Sequence, residues 1–183
     1  MKYKVRRLFF NFEKEEQWLN NMAAKGMHLT SFLYPRYEFT EGKPGEYIYR
    51  IELLDELPAH PESRAYLRFM EENGIECVAT FMRWVYFRKR AEDGPFDLYS
   101  DNTSKIKHYK RVSGLVAFAA GFNVVAALVN LTIGLINGSA GEGYHNSYLS
   151  IINFAIGVFL FYLLFIVYWR RIKKLKKDQL IHE

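Results

Sequence analysis

Between residues 47 and 53 apolar and charged positions alternate. Tyr47, Tyr49, Ile51 and Leu53 fall on one side, and Ile48, Arg50 and Glu52 on the other. This is the period of a half-buried strand. Upstream, Trp18, Leu19, Met22 and Ala23 recur at helical spacing and predict one buried stripe. Asn11 stands where it would cap that helix, Glu13, Glu15 and Glu16 fill its first turn, and Gly26 sits at its end. The three acids read as a helix-start charge preference. Residues 3–10, 27–40 (interrupted near Pro35) and 75–88 predict three further strands. Residues 41–45 read as a hairpin turn, and a second helix opens at Pro58 and Pro61 and stops at Asn73 and Gly74. The order β-α-β-β-α-β predicts an α+β fold, a ferredoxin-like sandwich with both helices on one face of an antiparallel sheet. No internal repeat is apparent.

The pattern then changes. Residues 112–136 and 149–169 contain no charged side chain. A bilayer core needs roughly 20 apolar residues in helix, so the two stretches predict a transmembrane hairpin. Its connecting loop, 137–148, is rich in Gly, Asn and Ser. Lys105, Lys107, Lys110 and Arg111 precede the first stretch, and Arg170, Arg171, Lys173, Lys174, Lys176 and Lys177 follow the second. By the positive-inside rule both termini are cytoplasmic and the protein is a two-span protein of the cell membrane. The expected organisation is a cytoplasmic domain over 1–90, a linker and basic juxtamembrane segment over 91–111, the hairpin over 112–169 and a basic tail over 170–183. The charged opening, residues 1–7, does not resemble a cleavable signal.

Charge adds one partner. The net charge is +5, and the excess lies in the tail, where it predicts contact with anionic lipid headgroups of the bilayer. The front is close to balance, and nucleic acid is not an expected partner. Cys77 is the single cysteine, so no internal disulfide forms, and its expected role is strand packing. His28, His60, His108, His145 and His182 are scattered without ligand spacing. No nucleophile elbow, phosphate loop or zincin pair occurs. The chain therefore reads as neither an enzyme nor a cofactor-binding protein.

Two surfaces stand out. If Tyr49, Ile51, Phe81 and Val85 face the helices, then Phe32, Tyr34, Ile48, Arg50, Met82, Trp84 and Tyr86 face away. An apolar, aromatic sheet face of that kind marks a site for a ligand, a regulator protein or a second copy, unless another part of the molecule covers it. In the first membrane stretch Ala120, Asn123, Ala127, Asn130 and Gly134 recur at spacings of three and four, and Asn153 and Gly157 lie in the second. Small residues allow close helix approach and Asn allows hydrogen bonds between helices, so these residues predict a packing seam. Neither span holds an ionisable group, which speaks against a conduction path.

The run from Phe9 through Trp18 to Leu29, with Trp84-Val85-Tyr86-Phe87-Arg88-Lys89 and Asp93-Gly94-Pro95-Phe96, resembles a Firmicutes family of unknown function, numbered 2812 among such domains. The likeness covers about residues 5 to 105. It implies genes placed beside PadR-type regulators, and it supplies neither an activity nor site residues. The expected function is a membrane-anchored sensory, regulatory or interaction module. A small oligomeric transport or permease-accessory protein is the alternative.

Overall fold

In the computed structural model, which describes residues 2–99, 101–141 and 144–182 (the side chains of 180–182 excepted), the front of the chain folds as one motif used twice. Strand β1 (Lys2–Arg6), helix α1 (Phe12–Ala23), β2 (Met27–Leu33) and β3 (Arg36–Glu41) form the first βαββ unit. Strand β4 (Tyr47–Leu53), helix α2 (Pro61–Glu72), β5 (Glu76–Phe81) and β6 (Trp84–Arg90) form the second. Each yields a three-stranded antiparallel sheet with the last strand in the middle, ordered β1-β3-β2 and β4-β6-β5. The match reaches the details. Gly26 and Gly74 both take a positive φ after their helices, and β2 and β5 both break register, between Leu29 and Ser31 and between Cys77 and Ala79. No matching repeat is visible in the sequence.

The α+β class holds, while the strands differ in number and pairing from the expected ferredoxin-like order. Residues 27–40 fold back at Tyr34 and Pro35, and 75–88 fold back at Met82 and Arg83. Neither two-residue turn has the Asn-Gly or Gly-Gly signature that usually marks a hairpin.

Helix α1 begins where Asn11 accepts a hydrogen bond from Lys14 N at 3.1 Å. It ends before Gly26, whose φ of 78° suits glycine, and where an added Cβ would come within 2.5 Å of Gly42 O. The apolar face of α1 (Leu19 and Ala23) shares a core with Leu29, Phe32, Tyr37 and Phe39 of the first sheet and Tyr49, Ile51 and Tyr86 of the second. Helix α2 covers the other face of the second sheet through Met70, against Val85, Phe87 and Phe96. The second sheet is therefore buried on both faces, and its strands are apolar on both.

Polar side chains join the two units. Glu15 Oε1 accepts from Tyr37 OH and Tyr86 OH, each at 2.7 Å, one tyrosine from each sheet. Along the free edge of β4, Asn20 pairs with both backbone groups of Tyr49, at 2.8 and 3.0 Å. One turn away Glu16 accepts from Ile51 N at 2.9 Å. The acids of this helix are thus ties as well as a favourable first-turn charge. Tyr49 OH in return accepts from Leu29 N at 3.0 Å, beside the β2 bulge.

The rest of the chain is a separate compact unit, Asp101–Glu183. Helix α3 (Asn102–Ser139) is followed by α4 (His145–Leu163), a π-helical turn (Leu164–Trp169) and α5 (Arg170–His182). Asn102–Ser139 and His145–Gln179 are two helical stretches long and apolar enough to cross a membrane, with mean hydropathies of 2.1 and 2.5 in their most apolar windows. Most of their large apolar side chains face outward, as lipid would require. Ala120, Ala127 and Gly134 are buried on α3, and Ser150 and Gly157 on α4. A Cβ at Gly157 would meet Val124 at 3.1 Å and the Ala120 carbonyl at 3.4 Å, so small residues set the approach of the helices.

Burial holds the Glu15 carboxyl above its ordinary range, against the opposing pull of the Tyr86 and Tyr37 hydrogen bonds. The native state therefore keeps this proton more tightly than the unfolded chain. The resulting stability is complete below about pH 4.5 and is lost as pH rises through the raised native value. Glu15→Gln keeps an oxygen for both tyrosines and removes the titration. It should flatten the fall in urea midpoint between acid and neutral pH, leaving the smaller slope due to Glu16, whose carboxyl burial also raises. Glu15→Ala strands two buried hydroxyls and should cost about 1–3 kcal/mol at every pH. A Glu15→Gln protein with the full wild-type slope would contradict this assignment.

Candidate functional site

The expected outward sheet face does not form, and the reason is register. Strands β4 and β6 pair odd with even positions: Ile51 lies opposite Tyr86, Leu53 opposite Trp84 and Arg50 opposite Phe87. Trp84 and Tyr86 thus share the face of Tyr49 and Ile51, while Ile48 and Arg50 share that of Val85 and Phe87. Phe32 and Tyr86 are core residues, 7% and 3% exposed. Their rings lie 4.7 Å apart between the two sheets. Trp84 is half-buried against Phe12 at 5.8 Å. Arg50 is separate, 3.3 Å from Glu16 and 5.8 Å over the Phe96 ring. Ile48 is partly buried on the α2 side. Only Tyr34 and Met82 of the set are exposed.

Those two point to a different surface. Tyr34 stacks on Phe81 at 5.8 Å, which places the β2–β3 turn beside the β5–β6 turn. Arg7 N donates to Pro35 O at 3.0 Å and Leu54 N to Arg83 O at 2.8 Å. The segments leaving β1 and β4 therefore run past the same two turns. Four connections meet at one end of the domain. Of the exposed large apolar side chains described in this unit, all but Phe69 lie in them or at their edge: Leu8, Phe10, Leu33 (the last residue of β2), Tyr34, Leu57 and Met82. Exposed apolar side chains gathered in this way are unusual on a protein surface. The sequence signal covers only Tyr34 and Leu57, which precede Pro35 and Pro58; Leu8, Phe10, Leu33 and Met82 read as strand.

Met82 is the outlier in this group. It is 70% exposed and holds a φ of 53°, a conformation costing an L-residue roughly 1–2 kcal/mol. A bulky apolar side chain is thus held out in solvent on a strained backbone.

Beneath this end lies a packed aromatic cluster. Phe32 contacts Phe81, Tyr37 and Tyr86 with centroids 5.8, 4.6 and 4.7 Å apart, and Glu15 anchors both tyrosines. Burial, with the adjacent Glu15 carboxylate, pushes both phenols well above the tyrosine range. They act as fixed donors. Burial likewise pushes the Cys77 thiol up to about 11, which leaves it a poor nucleophile. Among the described residues no group of three His, Cys, Asp or Glu side chains is placed to hold a metal.

In the membrane-type unit Ala127, Gly134 and Gly157 are buried and Asn123, Asn130 and Asn153 are half-buried. The Asn123 amide donates to the Ala119 carbonyl of its own helix at 2.9 Å, one turn back, and not to the partner helix.

Asn tolerates positive φ far better than Met. Met82→Asn should therefore raise the unfolding free energy by about 1 kcal/mol, read from urea titrations followed by tryptophan fluorescence. An unchanged or lower value would mean that the Met82 side chain contributes packing.

Comparison with curated proteins and with solved structures yields no significant match. One family does match. The family described as Protein of unknown function (DUF2812) matches residues 11–120, from the cap of α1 into α3. The chain belongs to that family.

Proposed function

We propose that the protein is a membrane-anchored, non-catalytic interaction module whose working surface is the apolar end where the four connections meet. The observation that carries this reading is the gathering of Leu8, Phe10, Leu33, Tyr34, Leu57 and Met82 at one end of a domain whose remaining described surface exposes only Phe69 among large apolar side chains. A ligand, a regulator protein, a second copy or lipid would each find there a preformed apolar contact.

In this reading α3 and α4 cross the cell membrane as a hairpin. Lys105, Lys107, Lys110 and Arg111 at one end and the basic face of α5 at the other keep both termini in the cytoplasm. Lys173 lies 5.1 Å over the Trp169 ring, a pairing suited to the headgroup region. The small-residue seam is occupied by the packing of α3 on α4, which favours anchoring over assembly of several hairpins into a transport path.

A photoreactive benzoyl-phenylalanine at position 82 tests the surface in intact membranes. A discrete adduct, to protein or lipid, is expected from position 82 and not from exposed position 72 on α2. Equal absence of adducts at 82, 33 and 72 would remove the strand end as the working surface.

A further inference from the structure

We infer that the strand end seats on the surface of an anionic bilayer, with Leu33, Tyr34 and Met82 entering the headgroup region and basic side chains beside Leu33 and Tyr34. This deepens the preceding reading and rests on it. The charge around the apolar side chains supports the assignment. Arg6 and Arg36 lie opposite one another across β1 and β3, next to the β2–β3 turn. Lys4 stands two positions back along β1, Arg7 sits over the rings of Phe9 and Trp18 at 4.9 and 5.3 Å, and Arg83 follows Met82 in its turn.

Acidic groups also face this end. Glu38 lies 3.9 Å from Lys4 and 3.6 Å from Arg36. Asp55 and Glu56 follow β4, where the Asp55 carbonyl accepts from Arg83 at 2.8 Å. On the β1–β3 side of the tip, beside Leu33 and Tyr34, Lys4, Arg6, Arg7 and Arg36 stand with Glu38. On the other side Arg83 stands with Asp55 and Glu56, and Glu13 and Glu62 open α1 and α2, so the basic excess is local to the β2–β3 turn. Apolar tips beside basic side chains are the composition of an interfacial membrane contact: the apolar groups enter the acyl boundary and the cations stay with the phosphates. Tyr34 has the amphipathic ring favoured at that depth, and long Arg and Lys side chains bury their stems while the charge stays wet.

Tethering strengthens the argument. Residues 91–101 connect β6 to α3, and the domain holds them as far as Tyr99: Phe96 is buried against Val85 and Phe87, and the Tyr99 hydroxyl donates to Glu52 at 3.1 Å, so little free chain precedes α3. A domain held by a membrane helix on so short a leash meets the bilayer surface at high effective concentration. Even a weak interfacial contact would then be occupied much of the time. An apolar tip exposed in bulk solvent is an aggregation liability, whereas next to a membrane it has a ready partner.

The test uses the full chain with Cys77→Ser, carrying a single nitroxide-labelled cysteine at Met82→Cys, Leu33→Cys or, as control, Glu72→Cys. The protein is reconstituted into vesicles of phosphatidylcholine with phosphatidylglycerol in equal parts, and into phosphatidylcholine alone. In the anionic vesicles, labels at 82 and 33 should lose accessibility to a water-soluble nickel chelate and gain accessibility to oxygen, while the label at 72 stays in water. Lys4→Glu with Arg6→Glu, or high salt, should return the two labels to water. Labels at 82 and 33 as open to nickel as the control in both vesicles would overturn the inference. Labels shielded from nickel and oxygen alike would also overturn it, because a protein and not lipid would then cover the tip; the interaction-module reading would survive that result. Failure of the cross-linking experiment at every position would instead remove the underlying reading.

Discussion

A carboxylate out of water is expensive to keep, and Glu15 is kept there by two phenols from two different sheets. That requirement organises the domain at the front of the chain. A buried acid left without partners destabilises strongly. With partners it demands that Tyr37 and Tyr86 arrive from opposite sheets at one oxygen, and so it sets how the two βαββ units meet. The aromatic packing around Phe32 follows from that arrangement. The rings fill the space that the shared carboxylate leaves between the sheets, at centroid distances of 4.6–5.8 Å.

The same logic governs the edges. An unpaired strand edge is an invitation to foreign strands. Here α1 blunts the β4 edge with Asn20 and Glu16, and Arg50 helps to hold Glu16 in place. The second unit repeats the device of a buried acid with two phenols: Glu52 accepts from Tyr66 OH at 2.8 Å and Tyr99 OH at 3.1 Å. Both interiors are thereby pinned by directional bonds as well as by area. A domain built this way can hold apolar side chains outward at one end, because its interior does not need them.

How far the sequence shows this depends on which constraint acts. Lipid imposes length and freedom from charge on a span, so both long apolar helices were legible, as was the stripe of α1. The small residues Ala127, Gly134 and Gly157 are buried on α3 and α4. Strand parity was not legible. Whether Ile51 faces Tyr86 or Val85 depends on the exact turn and bulge positions, and a single-residue error moves every side chain to the opposite face. That is why Phe32, Trp84 and Tyr86 read as an outer platform. Met82 gave no turn signal, because its positive φ is imposed by the hairpin and not preferred by methionine. Glu15 was hidden by an adequate local explanation, since an acid in a first helical turn needs no tertiary partner.

The account rests on one carboxylate joining two sheets, and a double-mutant cycle reads that directly. Tyr37→Phe and Tyr86→Phe each remove one hydroxyl from the same Glu15 oxygen. Unfolding free energies of the two single variants and the double variant should be non-additive by more than about 0.5 kcal/mol, because the second phenol's bond depends on how the first holds the acid. Additivity within that margin would mean that the two sheets are held independently and that Glu15 is not their common tie.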